Sequence, residues 1–194
     1  MGFYVEYGPD ITLRDVIKYI IKENGIERLG LAIYNPSSPL EKVYKLRAAH
    51  REIHAEDFME RSTEELVAKY CTRHKVLAVE SRVNMEGQIF HILQVDFSCH
   101  KNTENRDAAL FLLETAEQNN GFLLETGNSY HYWGTNLMPR KEWIDYMFGL
   151  MHSPLVNKWA QLALNNGSSA LRISQNEFKN SVPFVVAKIT PERT

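Results

Sequence analysis

Apolar residues recur at helical spacing in three segments of the first half of the chain. These segments are Asp10–Asn24, Tyr44–Met59 and Thr63–Arg73. Between the first two, the short apolar run Leu29–Tyr34 is typical of a strand, and it ends in a cluster of turn-forming residues. The pattern therefore predicts a helix-rich N-terminal half that contributes one strand.

After Lys75 the spacing changes to that of strands. Two β-rich runs over 76–83 and 87–98 indicate a hairpin. A helix over Asp107–Asn119 follows, and Gly127–Asn128 then separates two short strands, because both residues tolerate the backbone of a tight turn. The remaining predicted elements are helices over Trp143–Met151 and Leu155–Leu164 and strands over Ala170–Ser174 and Pro183–Ile189. From residue 88 onward the order is that of a split βαβ or RRM-like unit.

Length and composition favour a single folding unit. The chain has 194 residues, of which 44% are hydrophobic and 24% charged, as in ordinary globular proteins. We expect one α/β (α+β) domain over 1–194, in which a helix-rich part (1–74) packs with an RRM-like part (75–194) built on a mainly antiparallel sheet.

Charge and targeting signals narrow the classes of function. A net charge of −2 excludes a globally basic nucleic-acid binder, so any site for a polyanion must be local. The two cysteines, Cys71 and Cys99, lack metal-binding spacing. The N-terminus lacks the pattern of a signal peptide, and no apolar run is long enough to span a membrane. We expect a cytoplasmic protein without a membrane partner.

Two places in the second half carry candidate chemistry on strands. Asp96 ends an apolar strand, where its carboxylate either reaches a functional edge of the sheet or caps the next loop. Ser129 and His131 follow the glycine turn and alternate onto one face, where a hydroxyl and an imidazole are able to bind a phosphate. The alternative for His131 is a half-buried histidine that bonds to a neighbouring residue.

A third place is basic. Arg172 lies in an otherwise apolar strand, with Lys179 close behind it. A guanidinium in such a strand needs an anionic partner, which is either a bound phosphate or an acidic side chain of the protein.

Together these residues resemble the archaeo-eukaryotic primase superfamily, which includes the primase-polymerases. The resemblance covers residues 75–190 and rests on VDF with Asp96, on SYH with Ser129 and His131 after the glycine hairpin, and on LRIS with Arg172. It implies a primase-like palm in 75–194, nucleotide or nucleic acid as a partner, and Mg²⁺ or Mn²⁺ as a cofactor. It also implies a catalytic, metal-binding role for Asp96 and phosphate contacts for Ser129, His131, Arg172 and Lys179.

The sequence departs from that family at its acids. If Asp96 is the second acid of the first motif, the first position is Gln94; if it is the first acid, its partner position is Ser98. Where a third acid belongs, the sequence offers Asn157. An amide cannot replace the charge of a carboxylate between two metal ions, so we expect a degenerate primase that binds nucleotide but transfers it weakly or not at all.

Two other interpretations remain open. In one, the protein is a non-catalytic scaffold that binds a protein partner, and Asp96, His131 and Arg172 form a polar network. In the other, it is an active primase whose missing acids are supplied by Asp145 or Glu125. Elsewhere, His50 and His54 have the spacing of a metal-binding pair on a helix, but a solvated helix face explains them more simply.

Overall fold

One large sheet organises the protein. The computed structural model describes residues 3–8, 10–35, 49–72, 74–175, 177 and 179–192, and within them nine strands form a single sheet. The strands are β1 (Phe3–Tyr7), β2 (Arg28–Tyr34), β3 (Ala49–His54), β4 (Val76–Met85), β5 (Gln88–Asp96), β6 (Gly121–Glu125), β7 (Tyr130–Pro139), β8 (Ala170–Arg172) and β9 (Phe184–Pro191). The helices are α1 (Leu13–Asn24), α2 (Ala55–Glu60), α3 (Thr63–Tyr70), α4 (Thr103–Thr115), α5 (Arg140–Leu150) and α6 (Asn157–Asn166).

The sheet is antiparallel and branches at β4. The strand order is β1-β9-β6-β7-β5-β4-β2-β3, and each pair of named strands in the described ranges is antiparallel. The second half of β4 pairs with β5, whereas its first half pairs with β8. This branch leaves room beside β8 for the last residues of β5. The predicted α+β class with a mainly antiparallel sheet is confirmed.

Local sequence signals fix the ends of α1. Thr12 and Asp15 form a capping box, in which each side chain accepts a hydrogen bond from the other residue's backbone. Gly25 ends the helix with a left-handed backbone at φ 63°. Between these ends, α1 buries Leu13, Val16, Ile17, Ile20 and Ile21 in the core. The cap and the apolar stripe together hold the start of α1 close to β9, where Thr12 pairs with Phe184.

Within the described residues, the predicted helix over Tyr44–Met59 is correct from residue 55 onward and wrong before it. Ala49–His54 forms strand β3, only Ala55–Glu60 is helical, and residues 44–48 lie outside the described residues. In β3, Ile53 is buried while its neighbours Glu52 and His54 are exposed, which is also the alternation of an edge strand. Backbone pairing with β2 overrides the helix propensity of this alanine- and glutamate-containing segment.

Strands also extend beyond the predicted pattern. The sequence pattern did not predict β1, an edge strand in which Tyr4 and Tyr7 are exposed and the apolar alternation is weak. It predicted a strand over Ser129–Trp133 after the glycine turn, whereas β7 continues to Pro139 past a bulge opposite β5. Within the described residues, no helix is long and apolar enough to cross a membrane.

Replacing Gly121 by alanine tests the packing between β6 and β7. A Cβ at this position would lie 2.5 Å from the Trp133 carbonyl oxygen. We expect Gly121→Ala to lower the free energy of unfolding by about 2–3 kcal/mol, measured by urea denaturation, because backbone has to move.

The matched control is Gly149→Ala in α5, where a Cβ meets nothing within 4 Å. It removes a helix-interior glycine and is expected to stabilise the protein by about 0.5–1 kcal/mol. Equal stability of the two variants would contradict the packing described for Gly121.

Candidate functional site

Asp96 and His131 face each other across two paired strands. Asp96 is the last residue of β5, His131 is the second residue of β7, and the two are register partners. His131 Nε2 lies 3.5 Å from Asp96 Oδ1. The Asp96 side chain is 37% exposed and that of His131 only 8%, so the pair reaches solvent through its carboxylate.

The other nitrogen of His131 is unusual. Nδ1 is buried and has no hydrogen-bond partner among the described residues. Buried polar atoms are nearly always paired, because an unpaired one loses its hydration without replacement. The imidazole therefore retains hydrogen-bonding capacity that the described part of the chain does not use.

Ser129 connects the glycine hairpin to the residue that follows Asp96. Its hydroxyl donates to the carbonyl of Phe97, and the backbone N–H of Phe97 donates to the carbonyl of Tyr130 at 3.0 Å. One turn further on, the N–H of Lys101 donates to the Asn128 carbonyl and its ammonium pairs with Glu125 at 2.7 Å. These bonds fix the loop after Asp96 against the hairpin.

Arg172 holds three chain segments together. Its guanidinium donates to the carbonyls of Ser174, Ser181 and Thr126. The residue is only 4% exposed, and this burial lowers the pKa of its guanidinium, while Tyr34 and Asp96 act through their charges in the opposite direction. The interaction with Asp96 puts Arg172 in the electrostatic surroundings of the Asp96–His131 pair.

Lys179 lies on the surface of the segment that leads to Ser181. The structure thus brings Asp96, Ser129, His131 and Arg172 to one region around the hairpin, and it leaves Lys179 exposed beside that region. The phosphate contacts of Ser129, His131, Arg172 and Lys179 stay predictions, because these geometries describe the protein without a ligand.

Two of the positions where the primase pattern has further acids, Gln94 and Asn157, are occupied by amides with structural contacts. Gln94 is fully buried: its Nε2 donates to the Val79 carbonyl at 3.1 Å, and its Oε1 accepts from the Ser169 hydroxyl at 2.9 Å. The side-chain amide of Asn157 donates to the carbonyl of Met151. Both side chains thus bond to the fold itself.

Neither of the alternative acids lies free at the site. Glu125 pairs with Lys101, and Asp145 pairs with Lys141 within α5 at 2.8 Å. Across the described ranges, no group of three or more His, Cys, Asp or Glu side chains has the arrangement of a metal site. The donor set around Asp96 does not fit two divalent ions, which need several shared carboxylates.

His50 and His54 are not a helical pair, since both lie on β3. Arg82 donates to Nε2 of His50 at 2.6 Å, and Arg28 donates to Nε2 of His54 at 2.9 Å. A guanidinium only donates, so in this arrangement each Nε2 is unprotonated and its lone pair is in use. These contacts explain the pair without a metal ion.

Replacing Arg172 by alanine tests its structural role. The change leaves three backbone carbonyls without their charged donor, so we expect the free energy of unfolding to fall by about 3 kcal/mol in urea denaturation.

A matched control is Arg61→Ala. Arg61 pairs with Asp57 on the surface at 3.3 Å, and the loss of such a pair costs at most about 1 kcal/mol. A similar, small effect of both substitutions would show that the three carbonyl contacts of Arg172 contribute little to stability.

One of the comparisons with known proteins, a family model, agrees with the predicted resemblance. No curated protein matches the chain. One solved structure that is similar is described as the crystal structure of primase RepB′, with a TM-score of 0.45 and 13% identity over 93% of this chain; the match spans 57% of that chain. A family model described as AEP-like, archaeo-eukaryotic primase 1D-like, matches residues 55–183, which is more than half of the chain. The chain therefore belongs to this archaeo-eukaryotic primase-like family.

Proposed function

We propose that the protein binds the phosphates of a nucleotide or nucleic acid beside Asp96 and His131, and that it is weak or inactive as a nucleotidyltransferase. The observation that carries the proposal is the Asp96–His131 pair itself. A half-exposed carboxylate lies 3.5 Å from an imidazole whose second nitrogen has no partner among the described residues. Membership of the primase-like family supports phosphate as the ligand of this pair.

Each neighbouring residue has a role in this proposal. A ring N–H of His131 donates to phosphate oxygens, and the exposed Lys179 adds positive charge at the rim. Ser129 and Arg172 mainly position the site, because their hydrogen-bond donors already bind carbonyls of the protein. Ser129 donates to Phe97 in the loop after Asp96, and Arg172 donates to Thr126 in the hairpin.

The proposed weakness in catalysis follows from the donor set. Asp96 alone suits at most one Mg²⁺ or Mn²⁺, which would neutralise the charge of the bound phosphates. Nucleotidyl transfer in this family uses two ions to bring a hydroxyl and a triphosphate together. The Gln94 amide cannot supply the missing charge, and its hydrogen bonds to Val79 and Ser169 hold it in the core.

Isothermal titration with ATP and with GTP, each in the presence and absence of Mn²⁺, tests the binding. We expect Mn²⁺-dependent binding that weakens about tenfold or more in His131→Ala and in Asp96→Asn, since the loss of one charged contact is worth about 1.5–3 kcal/mol.

The matched control is Asp145→Asn, because Asp145 is an acid paired only locally with Lys141 on α5. It should bind as the wild type does. If neither nucleotide binds under any condition, or if Asp145→Asn matches Asp96→Asn, the proposed site is wrong.

Replacing Gln94 by glutamate tests whether this position is structural. A carboxylate there would be buried beside the Val79 carbonyl, so we expect Gln94→Glu to lower the free energy of unfolding by about 2–4 kcal/mol in urea denaturation. We also expect no primer extension with Mg²⁺ or Mn²⁺. A stable variant that gains metal-dependent primer extension would show instead that a single missing acid explains the loss of catalysis.

A second candidate function, binding of a protein partner, has one observation in its favour. Phe111 on α4 and Phe148 on α5 are 66% and 56% exposed, and their chain neighbours Leu112 and Gly149 line a groove of about 420 Å³ between these helices. Exposed apolar side chains around a groove are typical of interaction surfaces. Nucleotide titration separates the two functions, because a scaffold of this kind need not bind ATP or GTP.

A further inference from the structure

A small pocket lies on one face of strands β2, β3 and β4, and neither Asp96 nor His131 lines it. Its volume is about 140 Å³. Sites for drug-sized ligands take roughly 300–1,000 Å³, so this pocket suits a small ion or molecule instead. Its polar lining residues are Arg28, His50, Glu52, Arg82 and Asn84. We call it the Arg82 pocket.

Strand register brings these side chains to the same face of the sheet. Arg28 on β2 is opposite Asn84 on β4, and Gly30 on β2 is opposite Glu52 on β3. Opposite residues in antiparallel strands point to one face, and so do residues two apart in a strand, such as Arg82 and Asn84. Strands rather than loops therefore position the polar groups of the pocket.

Arg82 carries a positive charge that no carboxylate of the described residues neutralises by direct contact. Its Nη2 donates to Nε2 of His50 at 2.6 Å, and it takes part in none of the ion pairs within the described ranges. Glu80, which is buried, pairs with the other ring nitrogen of His50 at 3.0 Å. A guanidinium has five N–H donors, so Arg82 keeps several of them for a ligand.

Arg28 lines the same pocket and also keeps donors for a ligand. Its Nη1 pairs with Glu52 at 3.0 Å, and its Nη2 donates to Nε2 of His54 at 2.9 Å. Each of these nitrogens carries a second N–H, and Nε carries one more. The guanidinium fork fits the oxygens of a tetrahedral oxyanion, so two arginines on neighbouring strands suit phosphate or sulfate.

The acceptors in the pocket discriminate between these two anions. The Glu52 side chain is 43% exposed and, when ionised, only accepts hydrogen bonds. Asn84 adds Oδ1, a buried acceptor without a partner among the described residues. Sulfate has no O–H at neutral pH, so its oxygens repel these acceptors. Inorganic phosphate keeps at least one O–H at neutral pH and is able to donate it to one of them.

We propose that the Arg82 pocket binds inorganic phosphate in a protonated form. Arg28 and Arg82 donate to the unprotonated oxygens of the ion, and Glu52 accepts from its O–H. A phosphomonoester is a poorer ligand at neutral pH, because it loses its last O–H with a pKa of about 6. The inference goes beyond the proposed function and does not depend on nucleotide binding beside Asp96 and His131.

Isothermal titration with sodium phosphate, sodium sulfate and phenyl phosphate, each in EDTA at neutral pH, tests the pocket. EDTA removes divalent ions and so suppresses the metal-dependent binding proposed for the Asp96–His131 pair. We expect phosphate to bind at least about tenfold more tightly than the other two, because a site with unpaired acceptors rejects a ligand that lacks the donor. We expect Arg82→Gln to weaken phosphate about tenfold or more, since a charged contact is lost.

Two control variants accompany Arg82→Gln. Arg61→Gln removes the same charge from a surface ion pair with Asp57 and should leave the phosphate affinity unchanged. His131→Ala should leave it unchanged as well, because His131 does not line the pocket. If phosphate does not bind to the wild type, or if His131→Ala abolishes binding while Arg82→Gln retains it, the Arg82 pocket is not the site.

Replacing Glu52 by glutamine separates a phosphate-selective site from a general anion site. Glu52 lies on the edge strand β3 with its side chain half-exposed, so the change leaves the core intact. A neutral amide no longer repels sulfate and accepts the phosphate O–H less strongly, so we expect the ratio of phosphate to sulfate affinity to fall about tenfold. Equal affinities for the two anions in the wild type, or an unchanged ratio in Glu52→Gln, would contradict the role of the O–H.

Histidine ring signals locate the bound ion by NMR. Compared with sodium chloride at the same ionic strength, saturating phosphate should shift the ring protons of His50, which lines the pocket. Those of His152, which follows α5, should not shift. The variant His50→Gln identifies the signal by its loss. A shift of His131 in place of His50 would put the phosphate at the Asp96–His131 pair and overturn the inference.

Discussion

The hydrogen bonds from Arg172 to three backbone carbonyls are the interaction on which the geometry of the site depends. They join the end of the β6 strand, through Thr126, to the segments at Ser174 and Ser181. A charged donor buried among carbonyls is stable only while all its acceptors stay in place, so the bonds are mutually dependent. The hairpin that carries His131 is thereby held against β8, beside the end of β5 that carries Asp96.

Gln94 stabilises the same region through hydrogen bonds of its buried side chain. It is an amide that donates to β4 and accepts from Ser169 in one buried position, which a carboxylate cannot do because it has no donor when ionised. A carboxylate of the kind that metal ions need could therefore not make this pair of bonds in the core. Position 94 therefore cannot both make these hydrogen bonds in the core and carry a catalytic acid.

Local patterns were sufficient to predict the part of the fold that positions the candidate residues. The glycine turn and the apolar strands around it placed His131 on the strand after the turn and Asp96 at the end of an apolar strand, and the structure has both residues there. The partners of Arg172 could not be predicted, since they are backbone carbonyls and carry no sequence signal. The segment with His50 and His54 was also ambiguous, because its residues suit a helix and only pairing with β2 makes it a strand.

The distribution of charge limits what sort of polyanion the protein can hold. A strand of nucleic acid is bound mainly by many lysine and arginine contacts along its backbone, which release counterions. Here the net charge is −2 and Asp96 is itself an acid. In the proposed function, affinity therefore comes from a few short-range contacts, which favours a single nucleotide over a long strand as the ligand of the Asp96–His131 pair.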